Sequence, residues 1–206
     1  MSFPIAVLIS GEGSNLQALM DEVHGRDGID VVGVASSRAE AAGLARAERA
    51  GVETAVFSLA EEPDRAKRDE ALAGWLEERG VALVVLAGFM ELLTPAFIRR
   101  FAGRIVNVHP ALLPAFPGLG AIEQALEHGV KVAGVTVHFV DEGVDSGPIV
   151  LQESFELPYH RDIAAIEQRF HEVEHRLLPR AVRLIAAGRV RVDERNPRLV
   201  HVEPDD

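Results

Sequence analysis

Arg104 to Gly118, RIVNVHPALLPAFPG, is the stretch that decides the fold. Ile105, Val106 and Val108 are β-branched and apolar, so the stretch opens as a buried strand. Side chains alternate along a strand, so Asn107 and His109 project from the same face. Pro110, Pro114 and Pro117 follow at once and force the chain onto a fixed, non-helical path. An amide and an imidazole are thereby placed together at the carboxyl end of a strand, where open α/β sheets bind their ligands. One such residue alone would read as a satisfied core Asn or a loop His. The pair, set before a proline-stiffened loop, reads as a site.

Toward the N-terminus, Val81 to Ala87 is a continuous apolar run, the pattern of a strand covered on both faces. Gly88 to Leu93 follows with too many apolar residues for a solvated loop, so it either lines an apolar pocket or belongs to the core. Thr94 is placed to N-cap the next helix, with Pro95 at its first position. Pro4 to Ile9 reads as a central strand, broken by Ser10-Gly11-Glu12-Gly13-Ser14-Asn15. Leu16, Leu19, Met20 and Val23 then recur at helical spacing. Strand, glycine-rich turn and helix aim free backbone N–H groups and a helix dipole at an anion. The motif lacks the third glycine of a dinucleotide fingerprint and the lysine of a P-loop. A tight turn capped by Ser14 fits the same residues equally well.

Val31 to Ala35 and Thr54 to Phe57 read as further strands, with a helix over Ala39 to Ala50 that Gly51 ends. Pro63 and Asp64 open a long helix expected to turn Ala66, Leu72, Trp75 and Leu76 inward. Arg65 lies in its first turn, where a cation opposes the dipole, so it either serves a ligand or is simply solvated. Beyond the proline loop, Ala121 to Glu127 is a short helix, and Val130 to Val140 is a strand carrying Val135, Val137 and Phe139. His138 in that strand reads as structural. Asp141 to Pro148 is a polar turn whose three carboxylates, Asp141, Glu142 and Asp145, exceed what a turn requires. Ile149 to Leu157 resumes a strand. Asp162 to Ala187 is one long helix ended by Gly188, with Ile163, Ile166, Phe170, Val173, Leu177 and Leu178 on its apolar side and a kink expected at Pro179. Two short strand-like runs and a charged end follow Val190. Strands alternating with helices predict an α/β fold: an open, mostly parallel twisted sheet with helices on both faces, and mixed strands toward the C-terminus, within a single domain over 1–206.

Composition narrows the function. The 206 residues are 48% apolar and include no cysteine, which removes disulfide, thiolate and zinc–sulfur chemistry. The formal net charge of −11 opposes non-specific nucleic-acid binding. The N-terminal MSFPIAVLIS has no basic region and too short an apolar run for a signal peptide, and no stretch approaches a membrane span, so a cytoplasmic location is expected. His171 to His175, HEVEH, fits the zinc-peptidase pattern His-x-x-Glu-His, with the histidines one helical turn apart. A metallohydrolase also needs a third protein ligand, and nothing downstream offers a convincing one. Surface His and Glu on an amphipathic helix is the preferred reading, with no metal.

Four blocks, LISGEGSNLQAL, VVLAGFMELLTPAF, RIVNVHPALLPAFPG and HFVDEGVDSGPIVLQ, resemble the phosphoribosylglycinamide formyltransferases, the folate-dependent enzymes of purine (IMP) synthesis. The likeness runs from Ile5 to Gly188. It implies the formyltransferase, Rossmann-like fold and a reaction in which an amine attacks 10-formyltetrahydrofolate directly, with side chains stabilising the oxyanion and no metal. It implies three catalytic residues, Asn107, His109 and Asp145. Gly11, Glu12, Gly13, Ser14 and Asn15 would hold the substrate phosphate, and His171 and Glu174 would border its ribose and glycinamide end. Arg65, Met90, Glu91, Leu92, Leu93, Asp141, Glu142, Gly143 and Val144 would hold the folate. The implied partners are glycinamide ribonucleotide and the formyl-folate, with no nucleic acid or membrane, and a monomer or homodimer. Two departures stand out. Leu119 and Gly120 follow Pro117-Gly118 where a histidine is often found two positions on, and Glu91 replaces a basic residue of some relatives. Methionyl-tRNA formyltransferases carry a second, nucleic-acid-binding domain for which this length leaves no room. Formyltetrahydrofolate hydrolases place a regulatory domain ahead of the first strand, which here begins at Pro4.

Overall fold

The computed structural model describes residues 2–157 and 162–203. The charged end at 204–206 lies outside them. Strands β1 (Phe3–Ile9), β2 (Ile29–Ser36), β3 (Thr54–Val56), β4 (Leu83–Leu86), β5 (Ile105–His109), β6 (Val132–Phe139) and β7 (Ile149–Glu156) form one sheet in the order β3-β2-β1-β4-β5-β6-β7. β1 pairs in parallel with β2 and β4, β2 with β3, and β4 with β5, whereas β6 and β7 pair antiparallel. The fold is therefore α/β with a mostly parallel sheet that becomes antiparallel toward the C-terminus, as the alternation of patterns required. The chain divides into two compact units, Met1–Asn107 and Val108–Asp206.

In the first unit, Ile5 to Ile9 of β1 are completely buried, which is why this run carries no polar residue. Helices α1 (Ser14–Glu22) and α2 (Ala42–Arg49) follow β1 and β2, and α3 (Arg65–Glu78) and α4 (Pro95–Arg100) follow β3 and β4. The chain steps from β1 out to β3 and then returns to the other side of β1. Right-handed crossovers put helices on opposite faces when the direction of stepping reverses. The packing agrees, since α1 lies on α2 and α3 on α4. The reversal makes the carboxyl ends of β1 and β4 a topological switch point, the place where such sheets take ligands.

Three local expectations in this unit are corrected. α2 begins at Ala42 rather than Ala39, because the Ser36 hydroxyl both accepts from the Arg38 N–H and donates to the Arg38 carbonyl, holding the preceding residues in a turn. α1 is capped by Gly13 in the left-handed region, φ 72°, with no side-chain cap, so Ser14 is not the cap. Ala66 is exposed, because the buried stripe of α3 is Arg68, Asp69, Leu72, Ala73 and Leu76. Trp75 is half-buried, edge-on to Phe57 at 5.9 Å and covered by the Arg79 guanidinium. A Cβ on Gly33 would lie 2.4 Å from the Trp75 ring, so the strand opposite must carry glycine. Thr94 caps α4 with its side chain as expected, and Asp64, at the expected opening of α3, caps that helix in the same way.

In the second unit, α5 (Ala121–Glu127) precedes β6, and α6 (Ile163–Ala186) packs on β6 and β7. Ile163 is exposed, so the apolar side of α6 starts at Ile166, and Pro179 lies buried within a helix that continues to Ala186. Strands β8 (Val190–Val192) and β9 (Val200–Val202) pair as a separate hairpin. Among the described residues no helix is long and apolar enough to cross a membrane.

Candidate active site

The switch point in the first unit is built from two loops. After β1, Gly11 and Glu12 are exposed and Gly13 is buried, its positive φ delivering the chain into α1. With no side-chain cap and no acidic residue in the first turn, the N-terminus of α1 turns the positive end of its dipole to the loop, as an anion site requires. The loop is braced from outside by α2: Gly43 N–H donates to the Gly11 carbonyl at 3.0 Å, and Arg46 Nε donates to the Glu12 carbonyl at 2.8 Å. A Cβ on Gly13 would meet Gly43 Cα at 2.7 Å, so the contact needs glycine on both sides.

After β4, Gly88 to Leu93 forms the second loop. Met90 and Leu92 are 59% and 58% exposed, while Glu91 and Leu93 are half-buried. Of the two readings left by the sequence, core is excluded for Met90 and Leu92. The loops touch: Met90 N–H donates to Ser10 Oγ at 2.8 Å, and Ser10 Oγ shares a hydrogen bond with Ser37 Oγ at 2.6 Å. Arg65 is the exposed first residue of α3. Asn107, half-buried, stands near the end of β5, two residues before His109 on the same strand.

In the second unit, Asp145 lies between two imidazoles. His109 is 5% exposed, with Nε2 at 2.8 Å from the Phe116 carbonyl and Nδ1 at 3.4 Å from Asp145 Oδ2. His138 is 2% exposed, with Nδ1 at 2.8 Å from the Phe139 carbonyl and Nε2 at 3.6 Å from Asp145 Oδ1. A carbonyl only accepts, so Nε2 of His109 and Nδ1 of His138 carry protons, and each ring turns its other nitrogen to the carboxylate. Gly118 N–H also donates to Asp145 Oδ2, at 2.7 Å. Burial would raise the Asp145 pKa, but the His138 side chain, the Gly118 N–H and the nearby histidine charges together hold it below the ordinary carboxylate value. Asp145 is thus a carboxylate kept ionised against its own burial. Its φ of 48° and that of Phe116, 53°, are unusual for residues other than glycine, and both sit on segments that address His109.

His138, read from the sequence as structural, is buried against Asp145. Thr136 and His138 are two polar residues at alternate, buried positions of β6. Thr136 Oγ1 donates to the Ala111 carbonyl and accepts from Leu113 N–H, fixing the start of the proline loop, which contains a cis Leu113–Pro114 bond. In the acidic turn, Asp141 accepts from Gly143 N–H at 3.0 Å and from the Ser146 hydroxyl at 2.7 Å, so this carboxylate shapes the turn. Glu142, Gly143 and Val144 are exposed. On α6, Glu174 is buried and His171 exposed, and the His171 and His175 rings stack with centroids 5.9 Å apart. Burial, followed by the His171 charge, lowers the His175 pKa. Among the described residues no group of three or more His, Asp or Glu side chains is placed to hold a metal ion.

The fold defines a known class. The Formyl transferase family model matches residues 4–182. A crystal structure of glycinamide ribonucleotide transformylase 1 from Symbiobacterium toebii superposes with a TM-score of 0.93 at 48% identity, covering 98% of this chain and 95% of that one. Phosphoribosylglycinamide formyltransferase from Haemophilus influenzae is 41% identical over 191 residues, 92% of this chain and 90% of that protein. The chain belongs to the phosphoribosylglycinamide formyltransferases. It is also 45% identical over 193 residues to the human trifunctional purine biosynthetic protein adenosine-3, of which it spans 19% of the length.

Proposed function

We propose that this chain, acting in the cytoplasm as one domain, transfers the formyl group of 10-formyltetrahydrofolate to the amine of glycinamide ribonucleotide in purine (IMP) synthesis. The observation that carries the reading is the Asp145 carboxylate, held ionised beside His109, itself two residues from Asn107 at the end of β5. Family membership and the match across residues 4–182 support the substrates and the single domain. The amine attacks the formyl carbon, and charge develops on the formyl oxygen. The Asn107 amide and the His109 Nε2–H donate to that oxygen, Nε2 exchanging the Phe116 carbonyl for it, which builds an oxyanion hole from side chains. Asp145 opposite Nδ1 orients the ring. As the C–N10 bond breaks, the proton lost by the attacking nitrogen passes to N10, through water held by Asp145.

The uncapped N-terminus of α1 and the backbone of Gly11, Glu12, Gly13, Ser14 and Asn15 take the substrate phosphate, remote from the chemistry, so that its binding energy fixes the amine in attack geometry. His171 and Glu174 border the ribose and glycinamide end. Exposed Met90 and Leu92, with Glu91, Leu93 and Arg65, are assigned to the folate, as are Asp141, Glu142, Gly143 and Val144. No metal is assigned a role, because the formyl donor is already activated and the developing charge is met by donors. The test is a spectrophotometric assay of folate product with and without glycinamide ribonucleotide. Formation that requires the amine is expected; equal turnover without it would make the protein a formyl-folate hydrolase instead.

A further inference from the structure

Arg68 and Asp69 are the strangest side chains in the first unit. Both are charged, neighbouring residues on α3, and they are 1% and 2% exposed. Arg68 Nε lies 2.6 Å from Asp69 Oδ1 as an ion pair without hydrogen-bond geometry, and Arg68 Nη1 finds no hydrogen-bond partner among the described residues. Exchanging a buried ion pair for apolar side chains of similar size is often neutral or stabilising, so stability alone does not account for this one. Among the described residues, the pair's side-chain hydrogen bonds and its ring contact fall on one segment. Arg68 Nη2 donates to the Leu92 carbonyl at 3.3 Å, Asp69 Oδ2 accepts from Thr94 N–H at 2.6 Å, and the guanidinium stands 5.8 Å from the centre of the Phe89 ring. The segment is the loop that turns Met90 and Leu92 outward. A loop with two exposed large apolar side chains is driven to fold them back, so something must hold it open. Ser10 holds the Met90 N–H; the backbone of Leu92 and Thr94 is held by the ion pair.

We propose that Arg68 and Asp69 are positioning residues for the formyl-folate: a buried clamp that fixes the loop from Phe89 to Thr94 so that Met90 and Leu92 stay presented to the ligand. The inference rests on the assignment of that loop to the folate. An apolar pair could fill the same space, but it could neither donate to the Leu92 carbonyl nor accept from the Thr94 N–H.

The test is the double variant Arg68→Met/Asp69→Leu, which removes both charges and leaves neither one buried alone. The folate KM should rise roughly tenfold, the scale of one lost charge-assisted hydrogen bond. The KM for glycinamide ribonucleotide should stay within about twofold of the wild type, a split that a general loss of packing would not produce. Arg68→Lys keeps a donor for Leu92 and should recover part of the folate KM. A folded double variant with unchanged folate KM, or with both KM values raised equally, overturns the clamp. Amide exchange on the wild type tests it without any variant: the Thr94 amide should be protected, and tetrahydrofolate should protect it further. Exchange of Thr94 at the rate of an unstructured peptide overturns the clamp even if the double variant does not fold. Wild-type protein with no amine-dependent turnover overturns the functional reading itself and the clamp with it, whereas normal turnover with an unmoved folate KM overturns the clamp alone.

Discussion

Replacing Asp145 with Asn keeps the shape of the side chain and removes the charge between the two imidazoles. At 3.4 and 3.6 Å, and an effective dielectric of about 20, a contact between the carboxylate and a protonated imidazole has a gross Coulomb energy of about 5 kcal/mol. Most of that is offset by the cost of taking the carboxylate and the rings out of water, since the Asp145 side chain is only 14% exposed. The Gly118 N–H can still be accepted by the Asn oxygen. A net loss of about 2 kcal/mol near neutral pH is the expected scale. For a chain of this size that lowers Tm by about 4–8 °C. The sign with pH follows from the direction of the Asp145 shift. Its folded pKa is depressed, so its contribution is fully present above the unfolded value of about 3.9 and is lost as pH falls through the lower folded value. Urea denaturation of both proteins between about pH 6 and pH 2.5 should therefore show a gap that is steady down to about pH 4 and closes below it. Turnover of the variant at pH 7 should fall by about 10²-fold or more, because the imidazole loses the charge that orients it. A stability gap that persists unchanged to pH 2.5, or no gap at pH 6, would refute the assignment of an ionised, buried Asp145.

Asn107→Ala removes one proposed oxyanion donor and should lower kcat by roughly 10²–10³, read by steady-state kinetics, with a melting temperature close to the wild type. His138→Asn should relax the depressed pKa of Asp145 toward its ordinary value, visible in a carboxyl NMR titration, because the His138 contact is the main one opposing burial. Gly13→Ala places a Cβ 2.7 Å from the backbone of Gly43 at a positive φ, so thermal melting should drop together with phosphate affinity, measured by calorimetric titration with glycinamide ribonucleotide. Extensive dialysis against a chelator should leave the rate unchanged; loss of activity restored by added zinc would revive the metallohydrolase reading of His171 and His175.

What could be read from the sequence was what repeats or excludes. β1 and β4 announce themselves as uninterrupted apolar runs because both faces of the sheet are covered there. Asp64, Thr94 and Gly188 mark helix ends by side-chain and backbone chemistry that acts locally. The failures came where a tertiary contact overrode the local pattern. The inward face of α3 is displaced from Ala66 because Arg68 and Asp69 are buried by partners on a loop more than twenty residues away. α1 starts on Gly13 rather than on a Ser14 cap because α2 approaches too closely for any side chain. Asp145 could be singled out in the sequence, but its position between His109 and His138 depends on a β6–β7 turn whose geometry Asp141 sets from within. His138 reads as structural because one histidine in an apolar strand usually is; its contact with Asp145 spans the β6–β7 turn, which spacing alone does not show.

The central claim is that a formyl group moves from folate to an amine and not to water. It is tested most directly by supplying formyl-folate labelled with carbon-13 in the formyl carbon, together with glycinamide ribonucleotide, and following the label by NMR. The account predicts that the label leaves the folate and appears in the formamide carbon of the ribonucleotide, one for one with tetrahydrofolate formed, and that Asn107→Ala slows this transfer without redirecting it. Label that accumulates instead as free formate, at a rate indifferent to the amine, would contradict it.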